Sequence, residues 1–192
     1  MLQKTPFSIA LLTIIVGVFI AILFGANEEY FKNKIEKGLE RNTVISQMSN
    51  DIEKSNYIKS EKEKNWRYYQ RFHFHATGIG SISLAVLLFL SILSAPKNIK
   101  NVSAFFIAIG GFLYPFLWLF AGIFGPEMGR NEAKEAFAVF GYMGGVFMIG
   151  LLITLVLSLK YPLRQSNRYK VKLRKNGEVV DLSEGGIQTE NI

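Results

Sequence analysis

The chain has 192 residues, 49% of them hydrophobic and 14% aromatic, with 22 Lys and Arg against 15 Asp and Glu and a formal net charge of +7. A greasy composition with a basic excess implies separate apolar and polar blocks, which argues against a conventional cytosolic enzyme. Cysteine is absent and His occurs only twice, so disulfides, Cys-ligated zinc, iron–sulfur clusters and thiol nucleophiles are excluded and little remains for acid–base chemistry.

The first apolar block, residues 7–25 (FSIALLTIIVGVFIAILFG), carries no charge. At 1.5 Å per residue it spans about 28 Å, close to the roughly 30 Å hydrocarbon core of a bilayer. It is too long for the apolar region of a secretory signal and lacks a small-residue cleavage pattern, so residues 1–25 read as an N-terminus and an uncleaved first span. Gly17, Ala21 and Gly25 recur every four residues and form a candidate helix-packing ridge.

Residues 26–75 form a long polar loop with ten Lys and Arg against eight Asp and Glu. Phe31, Ile35, Leu39, Asn42, Ile45, Met48 and Ile52 recur every three or four positions and predict an amphipathic helix. Its apolar stripe is expected on the membrane surface or on top of the bundle. Trp66, Tyr68, Tyr69, Phe72 and Phe74 read as an interfacial aromatic belt. Glu63, Arg67 and Arg71 have i,i+4 spacing, so the second membrane helix should begin well above the bilayer.

The second span is read over 76–95. His73 and His75 at its head are the only constellation with chemical pull, since imidazole binds metals and titrates near neutrality. Two residues apart on a helix they point about 200° away from each other, so one ion cannot easily use both. His73 heads a small, polar ridge through Thr77, Ser81 and Ala85 that is expected to face the bundle, whereas His75 is expected among lipid head groups. Glu127 and Met128, after the third span, complete a candidate metal site, with Glu127 the expected acceptor for His73.

Residues 96–124 comprise a short linker and the third span, where Pro115 is expected to kink the helix. Residues 125–159 supply a second linker and the fourth span, with Gly141 and Gly145 as a further packing ridge. None of the four spans contains Asp, Glu, Lys, Arg or His, which disfavours proton- or ion-coupled transport. The tail, 160–192, is basic. Arg164, Arg168, Lys170 and Lys172 can meet anionic lipid head groups, and the alternation around Asn176-Gly177 predicts a β-hairpin.

These elements define an all-α integral membrane protein: four transmembrane helices, an amphipathic extracytoplasmic loop and a short C-terminal hairpin. Close to the span ends, Lys4, Lys97, Lys100, Lys160 and Arg164 lie on one side, against Arg71 and Lys134 on the other. That bias places both termini in the cytoplasm of an inner (plasma) membrane. No hydrolase, metalloprotease or phosphate-loop motif occurs, and no nucleic-acid signature accompanies the positive charge. The expected role is non-enzymatic and without a cofactor: an accessory subunit or assembly factor that contacts membrane lipids and other membrane protein subunits. The alternatives are a copper- or haem-binding redox component centred on His73, and a small-solute channel or carrier.

Overall fold

A computed structural model describes residues 2–164 and, beyond them, the backbone of three short strands. The chain divides into two compact units, 1–162 and 163–192. The first is helical, and among the described residues four helices are long and apolar enough to cross a membrane. No more than 39% of the apolar window of any of them is buried inside the protein, so the remainder calls for a hydrocarbon surrounding.

The first span, α1 (Lys4–Ala26), leads into α2 (Glu28–Glu40) and the single turn α3 (Thr43–Ser46). Then comes α4 (Asp51–Ile92), 42 residues long. At 1.5 Å per residue it measures about 63 Å, twice the thickness of a hydrocarbon core. It therefore starts well above the apolar stretch, as the spacing of its charges predicts. The Asn50 side chain caps it by accepting from the amides of Ile52 and Glu53, and Asp51 and Glu53 favour the positive end of the helix dipole.

The third span is broken in two, α5 (Lys97–Leu113) and α6 (Phe116–Met128). Proline at 115 has no amide to donate, and the break falls at Tyr114–Pro115, where the sequence places a kink. Gly129, at φ 102°, turns the chain into α7 (Arg130–Ala136), and α8 (Ala138–Lys160) is the fourth span. That φ is one only glycine adopts readily.

Two helix pairs hold the spans together, each through reciprocal glycines. A Cβ on Gly17 of α1 would lie 2.9 Å from Ala76 Cβ and from Thr77 Cγ2, while one on Gly80 of α4 would lie 2.7 Å from Ile14 Cγ1. Between α5 and α8, a Cβ on Gly110 would lie 2.5 Å from the Phe147 amide nitrogen, and one on Gly150 would lie 2.9 Å from that of Ile107. Beside this contact Ser103 donates to the Gly150 carbonyl at 2.8 Å and shares a 2.8 Å hydroxyl–hydroxyl bond with Thr154.

The packing ridges differ in part from expectation. Gly17 is in close contact, Ala21 is half-buried and Gly141 touches only Leu117, but Gly25 and Gly145 face open space. The second helix is also rotated from its expected phase. Its buried face is Ala76, Gly80, Ser83, Leu87 and Leu90, whereas Ser81 and Ala85 are exposed. Close approach to α1 at Gly80 sets that phase; smallness alone does not mark the inner face.

At one end of the bundle Leu2, Phe7, Leu93, Ala95 and Tyr161 join one apolar cluster, which brings the start of α1, the α4–α5 connection and the end of α8 together. There Lys100 is buried, and its ammonium donates to the carbonyl of Leu93 at 2.7 Å, at the negative end of the α4 dipole.

At the other end α2, α3, α7 and the upper part of α4 build a headpiece. The predicted stripe is not one helix, because the chain breaks around Asn42 and again before Asn50. Ile35, Leu39 and Ile45 are buried with Phe24, Trp66 and Tyr69, Phe31 packs against them and Met48 is half-buried, but Ile52 is 76% exposed. The aromatic belt is likewise an interior. Trp66, Tyr68, Tyr69 and Phe72 are buried and only Phe74, at 65% exposure, faces outward. Ring centroids of Phe24 lie 4.9 Å from Phe31, 5.2 Å from Tyr69 and 5.6 Å from Trp66, in edge-to-face arrangements.

In the tail unit, β1 (Lys172–Lys175), β2 (Glu178–Asp181) and β3 (Gln188–Thr189) run antiparallel in the order β1-β2-β3. Lys172 stands opposite Asp181 and Leu173 opposite Val180. The expected turn at 176–177 and the side chains of Arg168, Lys170 and Lys172 lie outside the described residues; Arg164 is exposed.

The reciprocal contacts make a direct prediction. Gly110→Ala should lower unfolding stability in detergent by about 1–3 kcal/mol, since the added methyl meets backbone that cannot swing away. Gly145→Ala should be neutral. Equal effects in thermal melts would contradict the assignment.

Candidate functional site in the headpiece

Polar side chains that the sequence keeps far apart converge in the headpiece, where it meets the end of α6. Asn42 follows α2 and caps α3, accepting from the amides of Val44 and Ile45. Its Nδ2 donates to the carbonyl of Glu127 at 3.0 Å and to that of Pro126 at 3.4 Å, which ties the loop to the last turn of α6. Gly38 and Gly125 allow this approach. A Cβ on Gly38 would lie 2.7 Å from Pro126 Cβ, and one on Gly125 would lie 2.8 Å from Asn65 Oδ1.

Glu61 of α4 is the charged centre. Only 10% of its side chain is exposed. Arg130 of α7 donates from Nε to Oε2 at 2.6 Å and from Nη2 to Oε1 at 3.4 Å, and Lys64 reaches Oε1 at 2.9 Å. Burial pushes the Glu61 carboxyl up, but the hydrogen bonds from Lys64 and Arg130 outweigh it and hold the group below its ordinary value of 4.5. Burial likewise lowers Arg130, yet the bond to Glu61 outweighs this and raises it. Asn42, Tyr57, Glu61, Arg130 and Glu132 line an open cleft of about 240 Å³ beside the pair. A carboxylate with both oxygens engaged by cations is suited to anchoring α7 on α4, and poorly suited to moving protons near neutrality.

The expected His73 site is distributed differently. His73 Nδ1 donates to the Gly17 carbonyl at 3.0 Å, so its acceptor is the backbone of α1. Glu127, the acceptor expected from sequence, instead pairs with Arg41 at 3.1 Å. Met128 is exposed at the rim of the cleft. His75, half-buried, is held by its own helix and two neighbouring rings. Its Nδ1 donates to the Arg71 carbonyl at 2.7 Å, and its ring packs 5.5 Å from Tyr114 and 5.7 Å from Trp118. Among the described residues no three His, Cys, Asp or Glu side chains gather where they could hold an ion.

The sequence reading misses Glu61, Asn42, Asn65 and Arg130 as a group. Glu61 and Arg130 are separated by 69 positions, and a charge in a lysine- and glutamate-rich helix looks like any solvated one. The available signal is Asn42 sitting inside an apolar stripe. Compared with protein-family models, curated proteins and solved structures, the chain matches none.

Glu61 sets a pH dependence. Its folded-state pKa lies below 4.5, so its stabilisation is fully present above pH 4.5 and is lost as pH falls through the folded value. Glu61→Gln should cost about 1–3 kcal/mol at pH 7 and flatten the decline of melting temperature below pH 4.5. An unchanged acid limb in the variant would refute the role given to this pair.

Proposed function

We propose that the protein is a non-enzymatic membrane protein that acts through its headpiece, as an accessory subunit or assembly factor of a membrane complex. The observation that carries this reading is a headpiece, tied to α6 through Asn42, that leaves large apolar side chains outside. Val44 on α3 is 66% exposed and Ile52 at the start of α4 is 76% exposed. Both lie above the apolar spans, so lipid tails do not account for them, and such side chains fit a protein contact. The site chemistry supports the same view: the buried charges are consumed in holding helices together, and His73 in tying α4 to α1.

In this reading the headpiece lies outside the cytoplasm of a plasma membrane. The tail is a cytoplasmic hairpin with a primed turn at Asn176-Gly177, and the basic stretch of Arg164, Arg168, Lys170 and Lys172 meets anionic head groups. The partners are membrane lipids and at least one other membrane protein subunit.

Two measurements test this. With no native cysteine, Ser49→Cys should react with an impermeant maleimide on intact cells and Ser183→Cys should not; the reverse would invert the topology. A stoichiometric membrane subunit should copurify with the full chain and be lost in the double variant Val44→Asp, Ile52→Asp, whose melting temperature stays unchanged. A chain that purifies without a subunit but with one equivalent of metal or chromophore, released in His73→Ala, would replace this reading with the redox one.

A further inference from the structure

A second polar cluster sits where α4 enters the membrane, one helical face away from His73. Arg71 is exposed, and no carboxylate lies within ion-pairing distance of it among the described residues. Its guanidinium carbon nevertheless has a fixed seat, 4.9 Å from the centre of the Trp118 ring and 5.5 Å from that of Tyr68. Resting its plane on aromatic faces leaves the N–H edges of the fork free to donate.

One turn further on, His75 gives its Nδ1 proton to the Arg71 carbonyl and packs between Tyr114 and Trp118, and no partner engages its Nε2 among the described residues. The ring is thus oriented with its second nitrogen directed away from the helix backbone. Below it on the same face of α4 is Gly78, where an added Cβ would meet nothing within 4 Å. A cation at the level of the interface therefore stands at the head of an open, apolar strip that descends into the hydrocarbon.

We infer that Arg71, His75, Tyr114 and Trp118 form a binding site for one anionic phospholipid in the leaflet on the headpiece side, with the Arg71 fork on the lipid phosphodiester. The guanidinium matches the planar, bidentate geometry that phosphate oxygens accept. The aromatic seat keeps it from collapsing onto the protein, and the strip past Gly78 receives an acyl chain. A head group without a compensating ammonium is favoured because the cation has no acidic neighbour. The inference stands apart from the accessory-subunit role and requires only that the spans lie in a membrane.

The test uses the full chain in mild detergent, titrated with phosphatidylglycerol or phosphatidylcholine and read by native mass spectrometry. One phosphatidylglycerol should be retained tightly, and Arg71→Gln should weaken it roughly tenfold or more, the scale of a lost charge-assisted hydrogen bond. Arg67→Gln, one turn above and also exposed, should leave it unchanged. Equal losses in the two variants would reduce the effect to general surface charge and overturn the site. Competition by inorganic phosphate at comparable concentration would overturn the lipid assignment in favour of a free ion. Loss of a copurifying subunit in Arg71→Gln with lipid retention intact would give the surface to a protein instead. A readout on the unaltered chain stands beside these: brominated phosphatidylglycerol should quench tryptophan fluorescence more than brominated phosphatidylcholine at equal mole fraction, and equal quenching would contradict the inference.

Discussion

The whole structure depends on how closely two pairs of helices can approach. Inside a bilayer, lipid tails are as apolar as leucine, so hydrophobic exclusion does not hold membrane helices against each other; backbone proximity and van der Waals contact do. Here that proximity is set at four glycines: Gly17 and Gly80 between α1 and α4, and Gly110 and Gly150 between α5 and α8. Each pair is reciprocal, one glycine on each helix accepting the neighbour's bulk. Register, helix rotation and the positions of the interior hydroxyls follow. Ser103 reaches the Gly150 carbonyl only because a glycine stands there to let α5 come near.

The headpiece inherits its geometry from the same arrangement. Because α4 runs without a break from the headpiece into the membrane, fixing its phase at Gly80 also fixes where Glu61, Asn65, Trp66 and Tyr69 point. Glu61 then meets Arg130 across to α7, and the Trp66–Tyr69 face meets Phe24 at the end of α1. A buried ion pair adds little net stability, but removing one partner leaves an uncompensated charge. The pair therefore specifies one position of α7 over others. The result is a headpiece whose helices are joined by an ion pair on one side and an aromatic cluster on the other.

Much of this was legible in the sequence. Four uncharged runs of membrane length announce the spans, Pro115 announces the break in the third, and the i,i+4 charges around Arg67 announce the early start of α4. What failed was phase. The ridge His73–Thr77–Ser81–Ala85 and the face Ala76–Gly80–Ser83–Leu87 differ by a single residue step, and both are small enough to pass for an interior. Only knowing that Gly80 touches α1 decides between them. The aromatic run from Trp66 misled for a related reason: rings at a membrane boundary resemble a belt unless a headpiece covers them. Long-range partners such as Glu61 with Arg130, or Lys100 with the end of α4, leave no local spacing to read.

The glycine-set register of α5 against α8 is the claim on which most else rests, and disulfide trapping addresses it directly. Ser103 and Thr154 hydroxyls lie 2.8 Å apart and both residues are buried, whereas Leu155, the next residue, is 54% exposed. In a chain with no native cysteine, Ser103→Cys combined with Thr154→Cys should cross-link rapidly on mild oxidation, since the two side chains meet atom to atom across the helix contact. Ser103→Cys combined with Leu155→Cys should not. Faster trapping of the second pair, or equal trapping of both, would show that α8 is rotated or shifted and that the glycines do not set its packing.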